Sequence, residues 1–96
     1  MDSDRFEWDD AKAASNFSKH GVTFGEAATV FDDPLSITYD DPDHSDDEER
    51  FLTIGVSAAG RVVVVSHTDR GDRIRVISAR VASRNERKGY EDGTFP

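Results

Sequence analysis

Nine of the twelve basic residues fall between positions 50 and 88 (Arg50, Arg61, Arg70, Arg73, Arg75, Arg80, Arg84, Arg87 and Lys88), where only three acids accompany them. Eight of the nine are arginine, whose planar guanidinium donates in pairs to phosphate or carboxylate oxygens. Arg80 closes the last predicted strand, with Arg61 its expected neighbour. Two like charges side by side call for an anion or a carboxylate between them, which makes Arg80 the strongest anion-site candidate. On the final predicted helix Arg84, Arg87 and Lys88 recur at turn spacing, and Glu86 and Tyr90 stand four apart. Glu86 has a structural alternative, because Ser83-Arg84-Asn85-Glu86 is a capping box that already gives its carboxylate a partner. His67 is expected at the core-side edge of the sheet opposite Leu52, as a hydrogen-bonded structural histidine or a proton-transfer group. Lys12, Asn16, Lys19 and His20 share about a third of the first helix's circumference. They read as an exposed basic strip or an ordinary solvated face, while Ala13, Ala14 and Phe17 lie opposite and Phe17 enters the core.

The elements that must hold these residues are legible from local punctuation. Phe6 and Trp8 alternate with polar neighbours in a short strand over residues 4–8. Asp9 caps a helix running to about His20, and Gly21 sits at its left-handed end. Thr23-Phe24-Gly25-Glu26 is a capping box for a second helix to about Phe31, stopped by Asp32-Asp33-Pro34. Leu35 to Tyr39 alternates as a strand. Residues 50–58, 61–68 and 72–81 then form a meander, with Ala59-Gly60 as the first tight turn and Asp69-Arg70-Gly71-Asp72 containing the second. The last helix runs from the Ser83 box to about Glu91. A two-residue turn at Ala59-Gly60 puts Val56 opposite Val63, and a turn at Arg70-Gly71 puts Val65 opposite Val76. Both place Leu52, Ile54, Val56, Val63, Val65, Ile74 and Val76 on one core face beneath the two early helices. The other face carries Thr53, Ser57, Ser66, Thr68, Arg73 and Arg75 among apolar residues, a surface for an anionic partner or an ordinary half-wet sheet.

Length and composition bound the rest. The 96 residues are read as one domain, 1–96, with its core over about 5–91. The chain is 35% hydrophobic and 33% charged, polar but not disordered in character. No apolar run approaches a membrane span, the start is not a signal peptide, and a cytoplasmic location is expected. The absence of cysteine excludes disulfides and thiolate-ligated zinc. A net charge of −8 argues against a nucleic-acid partner until it is resolved by segment: residues 1–49 carry 15 acids and three bases, apart from the arginine block. Asp41, Asp43 and Ser45 alternate as in a calcium loop, but Asp46 and Leu52 stand where glycine and glutamate are required. No nucleophile triad, metal-ligand spacing or phosphate-binding glycine loop stands out, and no metal is expected.

Read together, Phe6-Glu7-Trp8-Asp9, Lys19-His20-Gly21-Val22, Glu26 to Pro34, Glu49-Arg50-Phe51, Ile54-Gly55, Arg75 to Arg80 and Glu86-Arg87 followed by Tyr90 resemble the BrnT family of bacterial toxins over residues 5–91. The resemblance implies an α+β, RelE-like fold with two N-terminal helices packed on a mainly antiparallel sheet and a C-terminal helix. It implies a ribonuclease that works without metal or other cofactor and arrests translation. It also implies a partner, a BrnA-type antitoxin that forms a hetero-oligomer with the toxin and alone contacts operator DNA. Cleavage by a ribose 2′-hydroxyl needs a proton acceptor, a proton donor and positive charge at the phosphorane. The catalytic candidates are Arg75 and Arg80 for charge, His67 or Glu86 as base, and Tyr90 as a hydrogen-bond donor or acid. The RNA-binding candidates are Lys12, Lys19, His20, Arg73, Arg84 and Arg87, Arg84 also offering charge to the phosphorane. The alternative is a non-catalytic module that acts as co-repressor with a DNA-binding partner.

Overall fold

A computed structural model describes residues 5–41 and 49–94. The order of elements is β1 (Phe6–Glu7), α1 (Asp10–His20), α2 (Phe24–Thr29), a 3-10 turn (Val30–Asp32), β2 (Ile37–Asp40), β3 (Phe51–Val56), β4 (Val62–Arg70), β5 (Arg73–Val81) and α3 (Arg84–Asp92). The expected α+β class holds. The helix boundaries follow the caps. Asp9 accepts from the Lys12 amide at 2.9 Å, and Gly21 closes α1 at φ 70°. Thr23 accepts from the Glu26 amide, and Ser83 and Glu86 make the complete reciprocal box. At α2 the box is only half made, because the Glu26 carboxylate turns away to Arg61 and Ser57.

The five strands lie in the order β1-β5-β4-β3-β2, antiparallel except for the parallel pair β1–β5. Their register corrects the expected one. Val56 pairs with Val62 and Ile54 with Val64, one residue from the two-residue-turn alignment. The loop is three residues, Ala58-Ala59-Gly60, with Gly60 at φ 81° in the left-handed position such loops require. At the next hairpin Arg70 pairs with Arg73, and a bulge between Ser66 and His67 leaves Ile77 unmatched. Arg80 therefore faces Val64, not Arg61.

The shift splits the expected core between two faces. Val63, Val65, Val76 and Ala79 pack with Val22, Phe24, Ala27 and Val30 under α1 and α2. Ile54 and Val64 pack on the opposite side with Leu52, Ile37, Tyr39, Val62, Ala82 and Tyr90. The Val62–Val65 run thus feeds both faces, so it carries no alternation that could fix the register. Gly55 is required where β3 meets the 3-10 turn: a Cβ there would stand 2.9 Å from the Ser36 Cβ and 3.1 Å from a Val30 methyl.

The inward side of α1 is also corrected. Phe17 is 54% exposed, whereas Asn16 is buried. Its Nδ2 donates to the carbonyls of Val22 (3.0 Å) and Ala79 (2.9 Å), and its Oδ1 accepts from the Ala79 amide (3.0 Å). Since β1 stops opposite Arg75, β5 has no strand beside its later residues among those described. The Asn16 amide takes both edge groups of Ala79 and stands in for that strand.

Candidate functional site

The face of the sheet away from α1 and α2 collects the polar chemistry. By register, Arg73, Arg75, Ser78 and Arg80 of β5 share this face with Ser66 and Thr68 of β4, Leu52 and Ile54 of β3, and Tyr39 of β2. Glu7 of β1 stands beside Arg75. Alternation along a strand brings residues of one parity to one side, and the bulge at Ile77 resets the parity so that Arg75 and Arg80 both reach it.

Neither arginine is a bare cation. Arg80 makes a bidentate pair with Glu86, Nη1 to Oε1 at 2.7 Å and Nη2 to Oε2 at 2.8 Å. Arg75 donates to Glu7 at 3.1 Å, and Arg70 lies 4.0 Å from the same carboxylate. The Arg80 side chain keeps 44% of its surface exposed, so donors remain for a ligand beside a fixed guanidinium plane. Glu86 also accepts from the Ser83 amide at 2.8 Å. The Arg80 guanidinium, aided by that amide, draws the Glu86 carboxyl down to about 2 despite partial burial. A carboxylate so acidic is a weak proton acceptor at neutral pH, and its evident work is to aim Arg80.

Tyr39, outside the set expected from sequence, joins this group. Partial burial raises its phenol, with Glu86 adding to the rise and Arg80 opposing it, so its ring lies in the field of both. The hydroxyl stays protonated at neutral pH and can donate. Its signal in the sequence is the outward parity of the Ile37–Asp40 strand, legible only once β2 is paired with β3.

Two catalytic candidates are committed to other contacts. His67 points to the helix-covered side, 4% exposed, stacked on Phe51 (30° between planes) and met edge-on by Phe31. Its Nε2 bonds the Thr53 hydroxyl at 2.7 Å, which bonds Thr38 at 2.7 Å. Its Nδ1 is buried without a partner among the described residues, and burial pushes the ring down to about 4. His67 is opposite Phe51, not Leu52, and follows the structural alternative. Tyr90 lies against Ile54, Val64 and Ala82 but sends its hydroxyl to Asp33 at 2.5 Å. Burial and that carboxylate push the phenol up to about 12. Asp33 also accepts from the amides of Val56 and Leu35, both at 2.9 Å, so the contact ties α3 to β3 and the 3-10 turn.

The binding candidates divide likewise. Arg73 extends the open face, while Arg87 borders a separate groove with Val56, Val62 and Val81. Arg84 is exposed at the start of α3. Lys12, Lys19 and His20 meet at a cleft between α1 and β5. Arg61 is committed to Glu26 and the Gly21 carbonyl. No group of three or more metal-ligating side chains occurs among the described residues; Asp43 and Ser45 of the calcium-like spacing lie outside them. No helix among the described residues is long and apolar enough to cross a membrane.

Comparison with known proteins finds matches to a family model and to solved structures. A family model described as the ribonuclease toxin, BrnT, of type II toxin-antitoxin system matches residues 8–86. The crystal structure of the Brucella abortus ribonuclease toxin, BrnT, aligns at a TM-score of 0.62 and 25% identity, covering 83% of this chain and 97% of that one. No curated protein sequence matches.

Proposed function

The chain belongs to the BrnT family of type II toxin–antitoxin systems, and from that premise we propose that it is a metal-independent endoribonuclease that arrests translation in the cytoplasm until a BrnA-type antitoxin binds it. Membership implies an antitoxin partner; that this partner is BrnA-like, and alone touches operator DNA, belongs to the proposal. The supporting observation is the Arg80–Glu86 pair on the open face, with Arg75 on the same strand and face and the Tyr39 ring in the pair's field.

Attack of a ribose 2′-hydroxyl on its own 3′-phosphate places extra negative charge on the equatorial oxygens of the phosphorane. A guanidinium already fixed by a carboxylate meets that charge without reorganising, the arrangement that lowers such barriers most. Glu86 orients Arg80, Arg75 adds charge along the strand, the Tyr39 hydroxyl donates its proton to the departing 5′-oxygen, and the proton of the attacking 2′-hydroxyl passes to solvent water.

Induction of the chain alone in bacteria is expected to stop growth and degrade transcripts, with rescue by the antitoxin. Arg80→Ala should abolish arrest at matched expression with its melting curve preserved. Arrest by mutant and parent alike would remove Arg80 from the site. The co-repressor reading draws on one observation, that Arg75 and Arg80 are each held by a glutamate. It predicts neither arrest nor transcript loss.

A further inference from the structure

The cleft where α1 crosses the free edge of β5 has a volume of about 190 Å³. Lys12, Ser15, Lys19 and His20 line it from the helix, Ile77 and Ser78 from the strand, with Asn16 among them. Asn16 is spent on Ala79 and Val22, so it fixes the wall and offers a ligand little. The groups left to bind are two ammoniums, an imidazole and the Ser15 hydroxyl. No carboxylate lines the cleft. Among the described residues Lys12, Lys19 and His20 have no ion pair, whereas Arg61, Arg75 and Arg80 each hold a glutamate. In a chain with 20 acids this is an unneutralised pocket of donors, which selects a small oxyanion.

Position decides which oxyanion. Ser78 reaches the cleft and also lies on the open face two residues before Arg80, roughly 7 Å along the strand. A nucleic-acid strand engaged at Arg80 and running along β5 carries a neighbouring phosphate over this edge. We infer that the cleft between α1 and β5 is a flanking-phosphate subsite, holding a backbone phosphate of the single RNA strand whose scissile phosphate lies at Arg80. This rests on the ribonuclease reading and adds to it a second contact and a path for the strand.

The test is fluorescence anisotropy of the full chain with a short single-stranded 2′-O-methyl RNA, which keeps every phosphate and lacks the nucleophile, across a salt series. Lys12→Ala with Lys19→Ala should weaken binding about tenfold at low salt and flatten the log–log salt slope by about 0.7 per lost phosphate contact. Lys12→Arg with Lys19→Arg should retain most of the affinity, and all forms should melt alike. Equal affinity and slope in the alanine double variant and the parent would overturn the subsite, while cleavage of ordinary RNA by the parent would leave the nuclease reading standing. Antitoxin binding lost in the double variant with RNA binding unchanged would also overturn it, assigning the cleft to the protein partner. A parent that neither binds nor cleaves RNA would overturn the ribonuclease reading and the subsite together.

Discussion

The two faces of the sheet are built from interleaved residues of the same strands, yet they do opposite things with polarity. On the helix-covered face the buried polar groups serve the interior: His67 and Thr53 bond each other beside aromatic rings, and Asn16 replaces a missing strand. On the open face Ser66 and Thr68 are buried, but Arg75 and Arg80 are held in place by glutamates and still wet. Burial makes the first set costly to change and chemically quiet. Exposure makes the second set cheap to change and available to a ligand.

Asn16→Ala should have the largest effect on stability, about 3 kcal/mol in denaturant unfolding, because it strands two buried backbone groups of Ala79. A cost below 1 kcal/mol would mean that water or a shift of α1 replaces the amide. The pH dependence of His67 comes next. Its folded pKa of about 4 lies below the ordinary 6.5, so folding favours the neutral ring. That stability is present above about pH 6.5 and lost as pH falls toward 4, on the order of 3 kcal/mol in all. His67→Gln should lose the slope between pH 6.5 and 4.5, where the lowered carboxylates Glu26 and Glu86 contribute little. A slope unchanged in the variant would place its origin elsewhere. Tyr90→Phe removes one of three donors to Asp33 and should cost about 1 kcal/mol. The smallest change is expected from Phe17→Ser, within about 0.5 kcal/mol by thermal melting, because the ring is already half in water.

Phe17 and Asn16 also show what the sequence can and cannot disclose. Capping chemistry is local, so Asp9, Gly21, Thr23 and Ser83 marked helix ends to within a residue or two. The inward side of α1 is not local. Hydrophobicity selected Phe17, whereas the bare edge of β5 selected an amide, and that edge exists only because β1 is two residues long. The hairpin register failed for a related reason. Four consecutive valines serve both faces, and the choice between a two- and a three-residue loop rested on Gly60 alone. For the candidate site, Arg75, Arg80 and Glu86 were legible as residue types at strand and helix ends. That Arg80 meets Glu86 rather than Arg61 depended on the bulge at Ile77, which leaves no mark in composition.

The central claim is that the fixed guanidinium of Arg80 stabilises a cleaving phosphodiester. It is tested most directly by following labelled single-stranded RNA with the purified chain in excess EDTA. The parent should cleave, and Arg80→Ala should slow cleavage by about 10²–10³-fold with an unchanged melting curve. Equal rates from parent and variant, or cleavage that vanishes with the chelator, would contradict it.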